Sequence, residues 1–98
     1  MELLEKQSRE KQVLAIDYSS VLPSGVTVSS GVVEAVDGRG TNVAATLLTS
    51  TTATTTSTTA KAVLQNGTDG ERYKITMLAT LSDGQILEDD VFLLIKDV

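Results

Sequence analysis

The last third of the chain, from Asp69 onward, limits the fold more than any other part. Tyr73, Ile75, Met77, Ala79 and Leu81 alternate with Lys74, Thr76, Leu78 and Thr80. A period of two is the mark of a strand with one face on a core. Asp83-Gly84 follows and fits a two-residue type I′ hairpin turn. A second long strand then runs to the C-terminus. Its two faces, Val91/Leu93/Ile95 and Phe92/Leu94, are both apolar. One set faces the core; the other meets a neighbouring segment or leaves a sticky outer face.

Tyr73 adds a second constraint. It stands at the start of the first of these strands, just after Asp69-Gly70-Glu71-Arg72. In immunoglobulin-like sandwiches a tyrosine at this place returns its hydroxyl to backbone a few residues upstream. The expected fold is therefore all-β, an immunoglobulin-like β-sandwich of six or seven strands. The rest of the chain supplies the other strands. Val13–Ser19 puts Leu14, Ile16 and Tyr18 on one face and ends at the Pro23-Ser24-Gly25 turn. Val26–Val36 reads as a strand with Gly31 as a bulge or bend. Asp37–Gly40 is a turn, and Thr41–Ser50 reads as a third strand through Val43, Ala45 and Leu47. The threonine-rich tract 49–61 suits an exposed edge or a mobile connection. Ala62 and Leu64 face one way in the next short strand and Val63 the other. Asn66-Gly67 and Asp69-Gly70 make a turn-rich corner.

Two parts are expected: a charged N-terminal arm over 1–12 and the sandwich domain over 13–98. The arm is helix-permissive, with Glu2–Lys6 and Glu5–Arg9 as i,i+4 pairs. A helix this short is marginal alone. The arm reads as frayed in the monomer, ordering on a partner through Leu3 and Leu4.

Composition excludes several classes of function. There is no cysteine and no histidine. That removes disulfides, thiolate sites, the commonest metal ligand and the commonest general base. The formal net charge is -5, which repels phosphate backbones and argues against nucleic-acid binding. No apolar run approaches the length of a membrane span. The N-terminus lacks the apolar stretch of a signal peptide. The aromatic residues are Tyr18, Tyr73 and Phe92 alone, so the core is aliphatic.

Little in the chain suggests site chemistry. Carboxylates gather at Asp69/Glu71, Asp83 and Glu88/Asp89/Asp90, but calcium needs six to eight convergent oxygens. Asp37–Asn42 resembles a calcium loop, yet Arg39 stands where an acidic ligand belongs. These charges read as solvated guards of turns and edges. Asp89 and Asp90 alternate across a strand and cannot act as a pair on glycosides. No Gly-x-Ser-x-Gly elbow occurs. Thr52–Thr56 lacks the repeats of an ice-binding face, and Asn66-Gly67-Thr68 is a glycosylation acceptor only in an exported chain. The expectation is no enzyme, no cofactor, and no catalytic or metal residue.

Several motifs resemble one family in their order and spacing. They are Ile16-Asp17-Tyr18-Ser19, Leu22-Pro23, Gly70 with Tyr73-Lys74-Ile75, and Leu81-Ser82-Asp83-Gly84. Together they resemble small immunoglobulin-like proteins from tailed-bacteriophage structural (head/neck/tail) gene clusters. The resemblance spans most of 12–98. It departs at the leader, which lacks proline, and at the long threonine tract. It implies a non-catalytic virion structural protein, a capsid decoration or head–tail component that docks on other proteins. The implied partners are virion proteins of capsid, neck or tail, with a homo-oligomer left open. The implied location is the virion, after synthesis in the host cytoplasm. The other reading is a bacterial cell-surface immunoglobulin-like adhesion or carbohydrate-binding module. The missing signal peptide and the scarcity of aromatics for stacking on sugars count against it.

Overall fold

In the computed structural model, which describes residues 2–97, the chain forms seven strands and one turn of helix. The strands are β1 (Glu2–Lys6), β2 (Gln12–Asp17), β3 (Val28–Val36), β4 (Thr54–Thr55), β5 (Thr59–Leu64), β6 (Arg72–Leu81) and β7 (Ile86–Ile95). Helix α1 spans Ala44–Leu47. One sheet has the order β1-β7-β6-β3 and the other β2-β5-β4. The two sheets make a β-sandwich. Among the described residues no helix is long and apolar enough to cross a membrane.

The core follows from the alternation. Tyr73, Ile75, Met77, Ala79 and Leu81 of β6 are buried, as are Val91, Leu93 and Ile95 of β7. Val33 and Ala35 of β3 join them. Leu14, Tyr18, Ala60, Ala62 and Leu64 come from the facing sheet, and Leu47 and Leu48 fill one end. Each fully buried aliphatic side chain contributes about 1.5–3 kcal/mol through loss of contact with water. Gly31 is a point of close approach: a Cβ there would stand 2.9 Å from the Ala53 Cβ. The register irregularity lies next to it, between Val28 and Ser30, rather than at Gly31 itself.

Three local expectations need correction. Residues 2–6, expected within a loose and helix-permissive arm, form β1. This strand pairs in parallel with β7, from Glu2 opposite Val91 to Lys6 opposite Ile95. The i,i+4 ion pairs that favoured a helix would each have given only a few tenths of a kcal/mol. Main-chain pairing along β7, and the packing of Leu4 on the core, outweigh them. Met1 lies outside the described residues.

The strand expected over Thr41–Ser50 contains α1 instead. Asn42 Oδ1 accepts the Ala44 N–H at 2.9 Å, and the Leu47 N–H reaches Val43 O at 3.0 Å. Ala44, Leu47 and Leu48 are buried, a spacing of three and four that belongs to a helical turn.

The hairpin is not type I′, which needs positive φ at both central residues. Gly84 has φ 92° but Asp83 is not in that region. The Leu81 N–H bonds Gln85 O at 2.8 Å and the Gly84 N–H bonds Leu81 O at 3.0 Å. The loop is therefore Ser82-Asp83-Gly84, with glycine at its left-handed position. The threonine tract supplies a sheet edge, one of the two readings its sequence allows. Thr54–Thr55 is a short outer strand, and Thr59 opens β5.

Candidate docking surfaces

The two ends of β7 differ in what surrounds them. At the C-terminal end, Tyr73 is buried and its hydroxyl accepts the Thr68 N–H at 3.0 Å. This is the corner contact that the sequence predicts. The same corner anchors β1. Lys6 is buried, and its ammonium donates to Asn66 O at 2.6 Å and Gln7 O at 2.7 Å. Desolvation pulls the Lys6 pKa below its usual value, opposed by the negative charges of Glu10 and Asp97. Asn66 has φ 53° and donates from Nδ2 to Thr46 O at 2.9 Å. Gly67, at φ 105°, lies where a Cβ would meet the Ile95 side chain at 2.6 Å. Asp97 accepts the Ser8 N–H at 2.7 Å, and the backbone bond from Ser8 holds its carboxyl below the usual carboxylate range. No sequence pattern signals the Lys6–Asn66 contact, because that acceptor lies sixty residues away.

The outer face of the four-stranded sheet carries the second apolar set of β7. Phe92 and Leu94 are half-buried there. Leu3 of β1 lies opposite Phe92 and is 52% exposed, and Val32 and Ile86 are exposed as well. Phe92 also faces Lys74 across the β6 ladder. A shallow cleft of about 270 Å³ opens beside it, lined by Val36, Asp37, Gly38, Arg72, Tyr73, Lys74 and Phe92. A sticky outer face is thus present, partly screened by charged neighbours.

The third surface is the seam between the two sheets beside the first half of β7. The described part of β1 pairs with β7 from Glu2, opposite Val91, onward. A groove of about 320 Å³ opens here between the two sheets. Leu14, Ala15, Ile16 and Asp17 form one wall; Asp89, Asp90 and Val91 form the other. None of these lining residues is cationic. Asp90 accepts the Thr76 hydroxyl at 2.8 Å. The backbone bond from Ser19 keeps the Asp17 carboxyl below its usual range. Tyr18 is only 3% exposed, and its hydroxyl lies near the Asp89 carboxylate without a hydrogen bond of good geometry. Burial raises its pKa, and the nearby Asp89 carboxylate raises it further.

The carboxylates weighed as a calcium site fall at different places. Asp69 binds the Asp97 N–H at 3.0 Å, Asp83 binds the Gln85 N–H at 3.0 Å, and Glu88–Asp90 lie along β7. Asp37 closes its own turn by accepting the Arg39 and Thr41 N–H groups at 2.8 and 3.0 Å. Among the described residues no three His, Cys, Asp or Glu side chains come together to hold a metal.

The sandwich thus presents an exposed apolar face and an acidic strip. The chain belongs to the family described as podophage GP4 fiber-tail adaptor protein gp77, whose model matches residues 6–94. It is therefore a structural protein of the bacteriophage virion, and it binds other virion proteins. A search of curated proteins gave no match.

Proposed function

We propose that this chain is a non-catalytic adaptor joining tail and fiber in a podophage virion, built on an immunoglobulin-like sandwich. The family match over residues 6–94 carries the reading. The immunoglobulin-like assignment is supported by the strand order and the corner tyrosine. Strands β3, β6 and β7 lie as C, F and G do in that fold, and β2, β5 and β4 lie as B, E and D. Of the two positions expected from the sequence, capsid decoration and a head–tail component, the family description favours the tail. It gives no support to a cell-surface adhesion or carbohydrate-binding module.

The mechanism is passive. Thermal energy does not deform a packed sandwich easily, so its surfaces keep a fixed relative position. Repeated copies around a tail would convert weak single contacts into firm attachment. Synthesis in the host cytoplasm, before assembly, is part of this reading. The negative charge keeps the module off packaged DNA.

The test is a phage with a stop codon early in this gene. The proposal predicts particles with filled heads and tails but without fibers, restored when the protein is supplied in trans. Particles that keep their fibers would contradict it.

A further inference from the structure

Resting on the adaptor reading, we infer that the outer face of the β1-β7-β6-β3 sheet docks a second copy of this chain, face to face about a two-fold axis. Side chains on this face fall into rows across the strands. Glu34, Thr76 and Asp90 share one row, since Thr76 pairs with both carboxylate residues. The next row toward the Tyr73 corner is Val36, Lys74 and Phe92, with Leu3 beyond. Arg72 and Leu94 follow it. In the other direction come Val32, Leu78 and Glu88. The centre of the face is thus acidic in one half, cationic in the other, and apolar in both. Glu5, opposite Leu94, stands at the margin on the edge strand. Val32 and Leu3 are exposed, and Leu78, Phe92 and Leu94 are half-buried. The acidic row is held in place: Asp90 accepts the hydroxyl of the buried Thr76 at 2.8 Å.

Charge complementarity selects both the occupant and its orientation. The chain carries a net charge of -5, so most approaches of two copies are repulsive. A two-fold axis along the strands would lay the Glu34 and Asp90 row on itself. An axis across the strands, between that row and the row of Lys74, reverses the order of the rows instead. Lys74 of each copy then lies over Thr76 of the other, between Glu34 and Asp90. Arg72 lies over Leu78, beside Glu88. Each contact occurs twice, as an isologous interface requires. Aligned sheets pack about 10 Å apart, a gap that apolar side chains fill and a lysine or arginine spans. Strand spacing and rise give the face an area of about 550 Å² per copy, so a pair covers about 1,100 Å², the size of a weak but specific interface. A paired adaptor offers every other surface twice, which strengthens its hold on a repeating virion surface.

Sedimentation equilibrium of the full chain tests the pairing. The wild type is expected to pass from monomer to dimer as its concentration rises through the micromolar range. Lys74→Glu and Glu34→Lys both fall at exposed positions and should leave the fold intact, which circular dichroism checks. Each alone sets like charges against one another and should weaken self-association about tenfold or more. An equimolar mixture of the two variants should recover a dimer, because opposite charges then meet at both symmetry-related contacts. Dilution of the wild type should shift NMR signals around Lys74, Leu78 and Phe92. A dimer indifferent to both substitutions, or no recovery in the mixture, would overturn the inference. So would dilution shifts centred on the exposed Val13 of the other sheet. A chain that stays monomeric at every concentration would leave the face to a different virion protein and overturn it too. The stop-codon phage tests the adaptor reading separately: fiber loss there with monomers here would sink only this inference.

Discussion

Strand β7 is two strands in one. Its second half, Val91–Ile95, has β6 on one side and β1 on the other, and Val91, Leu93 and Ile95 are buried. Its first half, Ile86–Asp90, pairs with β6 and, among the described residues, with no strand of β1, and it carries Glu88, Asp89 and Asp90. The held half sits at the end where Lys6, Tyr73 and Asp97 bond to the turns around Asn66–Asp69. The first half borders a groove between the two sheets. Among the described residues one half of the strand is held from both sides and the other from one.

The largest expected effect separates the halves by truncation. Leu93→Ala empties a fully buried site and should destabilise by about 2–5 kcal/mol. Ile86→Ala, at a position 65% exposed, should change stability by less than about 0.5 kcal/mol. Chemical denaturation of both variants measures the contrast. Comparable losses would mean that the halves are packed alike.

The two buried tyrosines sharpen the comparison. Tyr73→Phe leaves the Thr68 N–H without its acceptor and should destabilise by about 1–3 kcal/mol. For a domain of this size that lowers Tm by roughly 4–8 °C per kcal/mol. Tyr18→Phe removes a hydroxyl that has no partner, so its Tm should stay level or rise. A larger loss at Tyr18 than at Tyr73 would reverse the assignment of the two ends.

Acid should act on the held end. The Asp97 pKa is lowered in the folded chain, chiefly by its bond from the Ser8 N–H. A group with a lowered folded pKa contributes fully above its unfolded value, about 3.8, and the contribution is lost as pH falls through the lower folded value. Asp37 and Asp17 shift in the same direction, and their contributions are lost in the same range. Asp97→Ala should therefore narrow its stability gap to the wild type as pH falls below about 4. A gap that is constant from pH 7 to 2 would contradict the role given to Asp97.

The sequence shows more of the held end than of the open one. Tyr73 is legible because its hydroxyl partner, Thr68, is only five residues away. Long strands such as β6 announce themselves by alternation on one buried face. Strand β1 is hidden, because its partner lies some ninety residues away. Its inward residue Lys6 is also charged, which breaks the apolar alternation. Helix α1 is hidden because four residues are too few to establish a period; the spacing of Ala44, Leu47 and Leu48 is its one trace. The groove beside β2 is invisible for a further reason: Glu88–Asp90 read as solvated charges, and nothing in their pattern shows that they border it.

Residue-resolved hydrogen exchange on the free protein tests the division of β7 most directly. The Phe92 and Leu94 amides point toward β1 and should exchange slowly, near the rate set by global unfolding. The Ile86 and Glu88 amides point the same way with no described strand opposite, and should exchange orders of magnitude faster. Equal protection along the whole strand, or fast exchange at Phe92 and Leu94, would contradict the account.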